Sequence, residues 1–270
     1  MEAPHTHDDG GTPHTHDHTH GDGGTPHTHT HDDAHAVGPR TIDLEQNLLA
    51  KNELLAARNR GWLEGRGIRA FNLMSSPGSG KTTLLVRTIE ELGNSLEIGV
   101  IEGDQETSVD ANRIRATGSP VIQINTGAGC HLDAGMLQRG LTALNPGTGS
   151  TVFIENVGNL VCPAMFDLGE SAKVVIISVT EGDDKPLKYP HMFTAADLVI
   201  INKADLLPYV DFDVDACLRQ ARQLHPGVEM LTVSASTGEG LDGWFSWIRN
   251  RSATPAASLD TAGQQHRMPV

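Results

Sequence analysis

The run Ser75-Ser76-Pro77-Gly78-Ser79-Gly80-Lys81-Thr82-Thr83 has the composition of a loop that holds phosphate. Small side chains let backbone N–H groups close on an anion, and a helix opening at Lys81 adds the positive end of its dipole. In that arrangement Gly78, Ser79, Gly80 and Thr83 border the phosphates. Lys81 reaches the β- and γ-phosphates, and Thr82 offers its hydroxyl to Mg²⁺. Ser75 stands where such loops usually carry glycine.

A second segment, Asn202-Lys203-Ala204-Asp205, is suited to reading a base. An aspartate there accepts from guanine N1–H and the 2-amino group while the lysine stem packs on the ring. Adenine lacks that donor pair, so Asp205 predicts GTP and GDP. Ser234-Ala235, after the next strand, completes the base site. Glu155-Asn156-Val157-Gly158 directs a carboxylate toward Mg²⁺ and the Gly158 N–H toward the γ-phosphate, with Glu155 replacing the commoner aspartate. Asp104, in Glu102-Gly103-Asp104, is a partner for Mg²⁺ or for the attacking water. Lys81, Asp104 and Glu155 are therefore the catalytic candidates, and Thr82, Asp104 and Glu155 the Mg²⁺ ligands. Phosphoryl transfer to water needs mainly positioning and charge neutralisation, which these parts supply. No glutamine or arginine stands out to orient the water, so slow hydrolysis of GTP to GDP and phosphate is expected.

Metal chemistry is indicated twice. Cys130-His131 and Cys162 each follow a strand, so two thiolates and an imidazole can gather on the γ-phosphate side. That set suits zinc or nickel and lacks a fourth ligand, which water or a second subunit could provide. Cys217, inside a helical stretch, is expected in the core. Residues 1–40 hold ten of the 14 histidines: His5, His7, His14, His16, His18, His20, His27, His29, His31 and His35. Most sit in repeats of the form Gly10-Gly11-Thr12-Pro13-His14-Thr15-His16. Alternate imidazoles on a flexible chain can wrap a nickel, copper or zinc ion. With almost no large apolar side chains, residues 1–40 are expected to form a disordered metal-binding tail, and 41–270 the folded domain.

The elements that must position these residues follow from periodicity. An amphipathic helix is expected over 41–60, with Leu44, Leu48, Leu49 and Leu55 as its apolar stripe and an end at Gly61–Gly67. Strands are expected at 71–74, 98–101, 121–124, 151–154, 174–179, 198–201 and 229–233. Helices fit at 81–92, 111–116, 134–144, 214–224 and 241–250. This alternation implies an α/β fold of the P-loop NTPase type, a mostly parallel sheet flanked by helices, with ligands at the carboxyl ends of the strands.

Of 34 acidic and 20 basic residues, seven and one lie in the tail, leaving 27 and 19 in the body. An acidic body is a poor match for a phosphate backbone, so no nucleic-acid partner is expected. No apolar run is long enough for a membrane span, and no basic-then-apolar leader opens the chain. Three cysteines in 270 residues suggest reduced thiols and a cytoplasmic location.

Over 41–270 the chain resembles the hydrogenase nickel-incorporation GTPases (HypB). The resemblance lies in the phosphate loop, Gly103-Asp104-Gln105-Glu106-Thr107, Cys130-His131-Leu132-Asp133, Glu155 to Pro163, Asn202 to Asp205 and Ser234-Ala235. It implies a homodimeric P-loop GTPase that delivers nickel to the large subunit of [NiFe]-hydrogenase, alongside a small nickel- and zinc-binding chaperone. It also implies that Cys130, His131 and Cys162 form a metal site near the dimer interface. Some members carry an N-terminal cysteine motif for nickel; this chain has no cysteine before Cys130, and its histidine tail suggests buffering as well as delivery. Two other readings stay open: a urease-type nickel GTPase, whose metal motif is Cys-x-His, and a nickel store with a regulatory GTPase body.

Overall fold

The computed structural model describes residues 40–104, 109–127 and 129–252, with side chains described from Gln46 on. The tail histidines and residues 105–107 of the second motif lie outside the described residues. Among the described residues, the strands are β1 (Arg69–Ser75), β2 (Ile98–Asp104), β3 (Val121–Asn125), β4 (Thr151–Gly158), β5 (Ala172–Ser178), β6 (Leu198–Asn202) and β7 (Glu229–Thr232). The helices are α1 (Arg40–Gly65), α2 (Lys81–Leu92), α3 (Val109–Arg115), α4 (Ala134–Leu144), α5 (Cys162–Met165), α6 (Lys185–Lys188), α7 (Pro190–Ala195), α8 (Val214–Leu224) and α9 (Leu241–Ser252). A 3-10 turn covers Ala204–Tyr209.

The strands form one sheet in the order β3-β2-β4-β1-β5-β6-β7, with every pairing parallel. Parallel strands are buried on both faces, which is why 174–177 reads as an unbroken apolar run. Val174 and Ile176 face a core built with α2 and α9, where Leu84, Leu85, Trp244 and Ile248 pack. Val175 and Ile177 face the opposite side, against Met192, Phe193 and Cys217 of α7 and α8. A further cluster on α1 and α4 joins Leu63, Leu137 and Leu141 to Ile101 and Ile154. Cys217 is core as expected: it is fully buried, and burial pushes its thiol up to about 12.

The expected 81–92, 134–144 and 214–224 helices coincide with α2, α4 and α8. Two expectations about α1 need correction. The helix runs through Gly61 to Gly65, because Leu63, 1% exposed, is packed into the core. Such packing outweighs the roughly 1 kcal/mol that a mid-helix glycine costs. Nor is the leucine stripe the buried face: Leu48 is 57% and Leu49 36% exposed, whereas Asn52, Ala56, Asn59 and Leu63 turn inward.

Those asparagines show what α1 does. Asn52 Nδ2 donates to the Asp167 carbonyl at 2.7 Å, and its Oδ1 accepts from Ala134 N at 2.8 Å. Asn59 Nδ2 donates to the carbonyls of Ala134 and Leu168 at 2.8 and 3.0 Å. Arg60 pairs with Asp167 at 2.6 Å. The helix thus ties together the loop entering α4, which carries Cys130-His131, and the loop following α5, the helix that Cys162 opens.

Asn59→Ala leaves two buried carbonyls without their donor, a loss of about 1–3 kcal/mol. For a domain of this size the melting temperature is expected to fall about 2–4 °C for each kcal/mol lost, measured by differential scanning calorimetry.

Candidate functional site

Parallel register brings the motif residues to one edge of the sheet. Ser75 is opposite Gly158, Glu102 opposite Glu155, Asp104 opposite Asn125, and Ser178 opposite Asn202. All lie at or near carboxyl ends of strands, where the strand order around β1 opens a crevice. A cavity of about 520 Å³ occupies it, lined by the whole loop from Ser75 to Thr83 together with Asp104, Glu155 and Gly158.

The phosphate loop is shaped by glycine. Gly80 precedes α2 at φ 92°, in the left-handed region, and a Cβ there would lie 2.5 Å from Asn202 Nδ2. Only glycine admits that approach. Asn202 then bridges the two halves of the site: its Nδ2 donates to the Ser79 carbonyl at 2.9 Å, and its Oδ1 accepts from Ala235 N at 3.0 Å. Lys203 Nζ donates to the Gly78 carbonyl at 2.7 Å. Ser234 Oγ donates to Asp205, holding the carboxylate expected to meet guanine. All five base-site candidates, Asn202, Lys203, Asp205, Ser234 and Ala235, thus converge beside the phosphate loop.

At the other end, Thr82 Oγ1 donates to Glu155 Oε1 at 2.6 Å, and Lys81 Nζ is 3.3 Å from the same oxygen. Glu155 is 2% exposed, and its second oxygen, Oε2, is buried without a partner. A hydroxyl, a carboxylate with a spare oxygen and the nearby Asp104 are hard oxygen donors of the kind Mg²⁺ takes.

Three residues that line this cavity were not singled out from the sequence. Glu102, across from Glu155, is 2% exposed and also leaves Oε2 unpartnered. Burial, with Glu155 and Asp104 adding negative charge, pushes its carboxyl up to about 8. Arg113, on α3, donates to Thr83 Oγ1 at 2.9 Å, and Asp110 sits one turn before it. The i, i+2 spacing that puts Glu102 on the same face of the strand as Asp104 was the available signal for the first. Nothing in the local pattern marked Arg113.

The metal-ligand candidates also meet. The ligand atoms of Cys130, His131 and Cys162 all lie within 4.8 Å of one another. Cys130 Sγ is 2.7 Å from Cys162 Sγ and 3.6 Å from His131 Nδ1. The His131 ring stacks on Phe166 with centroids 3.9 Å apart. The Cys162 thiol and burial push Cys130 upward, while burial pushes His131 downward against the pull of Asp133. At neutral pH the imidazole is therefore neutral with a lone pair to give, and a metal that binds must displace thiol protons.

The family described as CobW/HypB/UreG, nucleotide-binding domain, matches residues 69–232. The hydrogenase maturation factor HypB of Azotobacter vinelandii is 56% identical over 238 residues, 87% of this chain and 78% of that protein. The crystal structure of HypB from Archaeoglobus fulgidus superposes with a TM-score of 0.71 at 41% identity, covering 76% of this chain and 100% of that one. HypB from Helicobacter pylori, solved in complex with nickel, superposes with a TM-score of 0.69 at 38% identity, covering 75% of this chain and 95% of that one.

Glu102 supplies a pH test. Its carboxyl titrates higher in the folded chain than in the unfolded one, so the folded state is favoured at low pH. That advantage is lost as pH rises from the unfolded value of 4.5 through about 8. Glu102→Gln is expected to raise the melting temperature of the Mg²⁺-free protein, with the gain over wild type widening from pH 5 to pH 8 and levelling above it. Melts across that range by circular dichroism check the trend.

Proposed function

This chain belongs to the CobW/HypB/UreG family, among its HypB hydrogenase maturation factors, and from that premise we propose that it hydrolyses GTP to deliver nickel to a [NiFe]-hydrogenase. The observation that carries the reading is the placement of a guanine-type base motif and a Cys–His–Cys cluster at one edge of the same sheet.

The loop from Gly78 to Thr83 takes the phosphates of GTP or GDP, with Lys81 countering the charge on the β- and γ-phosphates. Asp205, braced by Ser234, accepts from guanine, and the Lys203 stem covers the ring. Thr82, Asp104 and Glu155 would hold Mg²⁺, which when bound neutralises charge on the β/γ bridge; the orphaned Glu155 Oε2 fits that role. Gly158 N–H meets the γ-phosphate, and Asp104 orients the water that attacks it. Turnover is slow without a partner, as expected of a timing device.

Nickel is the cargo. Cys130, His131 and Cys162 supply a soft three-ligand set, and the open position goes to water or to a second copy of the chain. Zinc suits the same ligands. The tail histidines add weaker sites that buffer the supply. The protein works as a homodimer in the cytoplasm, receives or passes nickel through a small nickel- and zinc-binding chaperone, and serves the hydrogenase large subunit. No helix among the described residues is long and apolar enough to cross a membrane.

Titration of nickel and of zinc into a chain lacking residues 1–36, with GDP and then a non-hydrolysable GTP analogue, tests the delivery reading. A metal affinity or stoichiometry that changes with nucleotide and disappears in Cys130→Ala is the expected result; indifference to nucleotide would leave the tail as the nickel carrier. Base selection has its own test. Asp205→Asn is expected to lose GTP turnover by at least about 100-fold and to regain it with xanthosine triphosphate, because a site built to pair donors rejects the unmatched base strongly. Lys81→Ala is expected to abolish turnover with either nucleotide in a phosphate-release assay.

A further inference from the structure

One side chain touches both halves of the site. Asn156 is 1% exposed and directly follows Glu155, which holds Thr82 and Lys81. Its Oδ1 accepts from Val157 N at 3.0 Å, within its own segment, and from Leu132 N at 3.1 Å. Leu132 is the residue after His131. The Asn156 Nδ2 donates to Asn72 Oδ1 at 3.3 Å, and Asn72 Nδ2 donates to Glu170 Oε1 at 3.0 Å. Glu170 Oε2 in turn accepts from Leu168 N at 2.7 Å. Two residues before Leu168, Phe166 stacks on the His131 ring. One chain of buried polar groups starting at Asn156 therefore reaches His131 from two sides, through its own backbone and through the ring that packs on it.

The same loop leans on the end of β2. Leu132 is fully buried over Gly103, where a Cβ would come 2.7 Å from Leu132 Cγ. Gly103 lies between Glu102 and Asp104, so its lack of a side chain lets the metal loop press against the strand that carries the Mg²⁺ candidate. Thr126 N donates to the Asp104 carbonyl at 3.0 Å, and Gly129 N to the Thr126 carbonyl at 2.9 Å, which hangs the front of the loop from the same strand end.

A buried amide bonded at both ends cannot yield gradually. If residues 155–158 shift toward a γ-phosphate, the Asn156 amide either carries Leu132 with it or leaves a buried N–H unpaired. We propose that Asn156 is the positioning residue that transmits nucleotide occupancy to the metal loop, with Leu132 as its receiver. The proposal rests on the reading that nucleotide and nickel occupy these two adjoining sites. Linkage makes the effect reciprocal: nickel bound at Cys130, His131 and Cys162 biases the nucleotide segment by the same factor.

The test is a nickel titration of the full chain followed by thiolate-to-nickel charge-transfer absorption, which reads Cys130 and Cys162 and is blind to the tail imidazoles. It is run with GDP and with a non-hydrolysable GTP analogue, both with Mg²⁺. In the wild type the two nickel affinities are expected to differ by about 5-fold or more, the range usual for coupled sites. In Asn156→Ala the ratio is expected to fall to within about twofold of one. Asn72→Ala keeps the Leu132 bond but frees the Asn156 amide to rotate, so an intermediate ratio is expected; if Asn156→Ala does not fold, this variant decides. A merely structural Asn156 would weaken nickel binding equally with both nucleotides, and a ratio that stays at the wild-type value in the folded variants overturns the proposal. A wild-type ratio of one, with both ligands bound, would instead overturn the coupled-site reading and this proposal together.

Discussion

A carboxylate buried at the end of a central strand must be met by donors, because an unpaired charge there would cost several kcal/mol. Glu155 is that carboxylate, and the arrangement of the nucleotide site follows from how it is satisfied. Its Oε1 takes the Thr82 hydroxyl and the Lys81 ammonium, so the first turn of α2 is locked onto β4. Its neighbour in register, Glu102, finds no such cation of its own and is driven toward the neutral acid. The pocket thus holds two carboxyl groups, one bonded to a threonine hydroxyl and a lysine and one driven toward the neutral acid, each with an unpartnered oxygen. A phosphate and a divalent cation entering together can exchange those partners with little rearrangement of the strands. Preorganisation of this kind is what phosphoryl transfer demands of a protein.

The side of the sheet that carries the Cys–His–Cys cluster is organised by amides. Asn52 on α1 uses both ends of its amide on loop backbone groups, Asn59 uses its Nδ2 on two loop carbonyls, and Asn156 on β4 accepts from Leu132 N while donating to Asn72 on β1. An amide suits this task because it offers a donor and an acceptor without a charge to desolvate. Apolar packing would bury the same area but would not fix where Leu132, Ala134, Asp167 and Leu168 sit. The cluster of Cys130, His131 and Cys162 is held within 4.8 Å by this scaffold rather than by secondary structure alone. The Asn-Lys-x-Asp segment uses the same device, since Asn202 joins the Ser79 carbonyl to Ala235 N.

The phosphate loop, the Asn-Lys-x-Asp segment, the alternation of strands with helices and the Cys-His pair could all be read from residue types and spacing. They are local: glycine's freedom, a helix N-terminus and a run of β-branched residues act within a few positions of chain. The boundaries of α2, α4 and α8 belong to the same class, because caps and periodicity lie next to one another in sequence. What the tertiary structure decided depends on residues far apart in the chain. The inward face of α1 is its asparagines because their partners, Ala134, Asp167 and Leu168, lie more than 70 residues away. Glu102 became a buried acid only when β2 was laid beside β4, and Arg113 entered the pocket only when α3 docked near α2. The bond from Asn156 to Leu132 joins β4 to the loop before α4, two segments that share no sequence signal. A motif specifies which chemistry is present. Parallel pairing, which ranks strands by packing and not by order in the chain, specifies which chemistries meet.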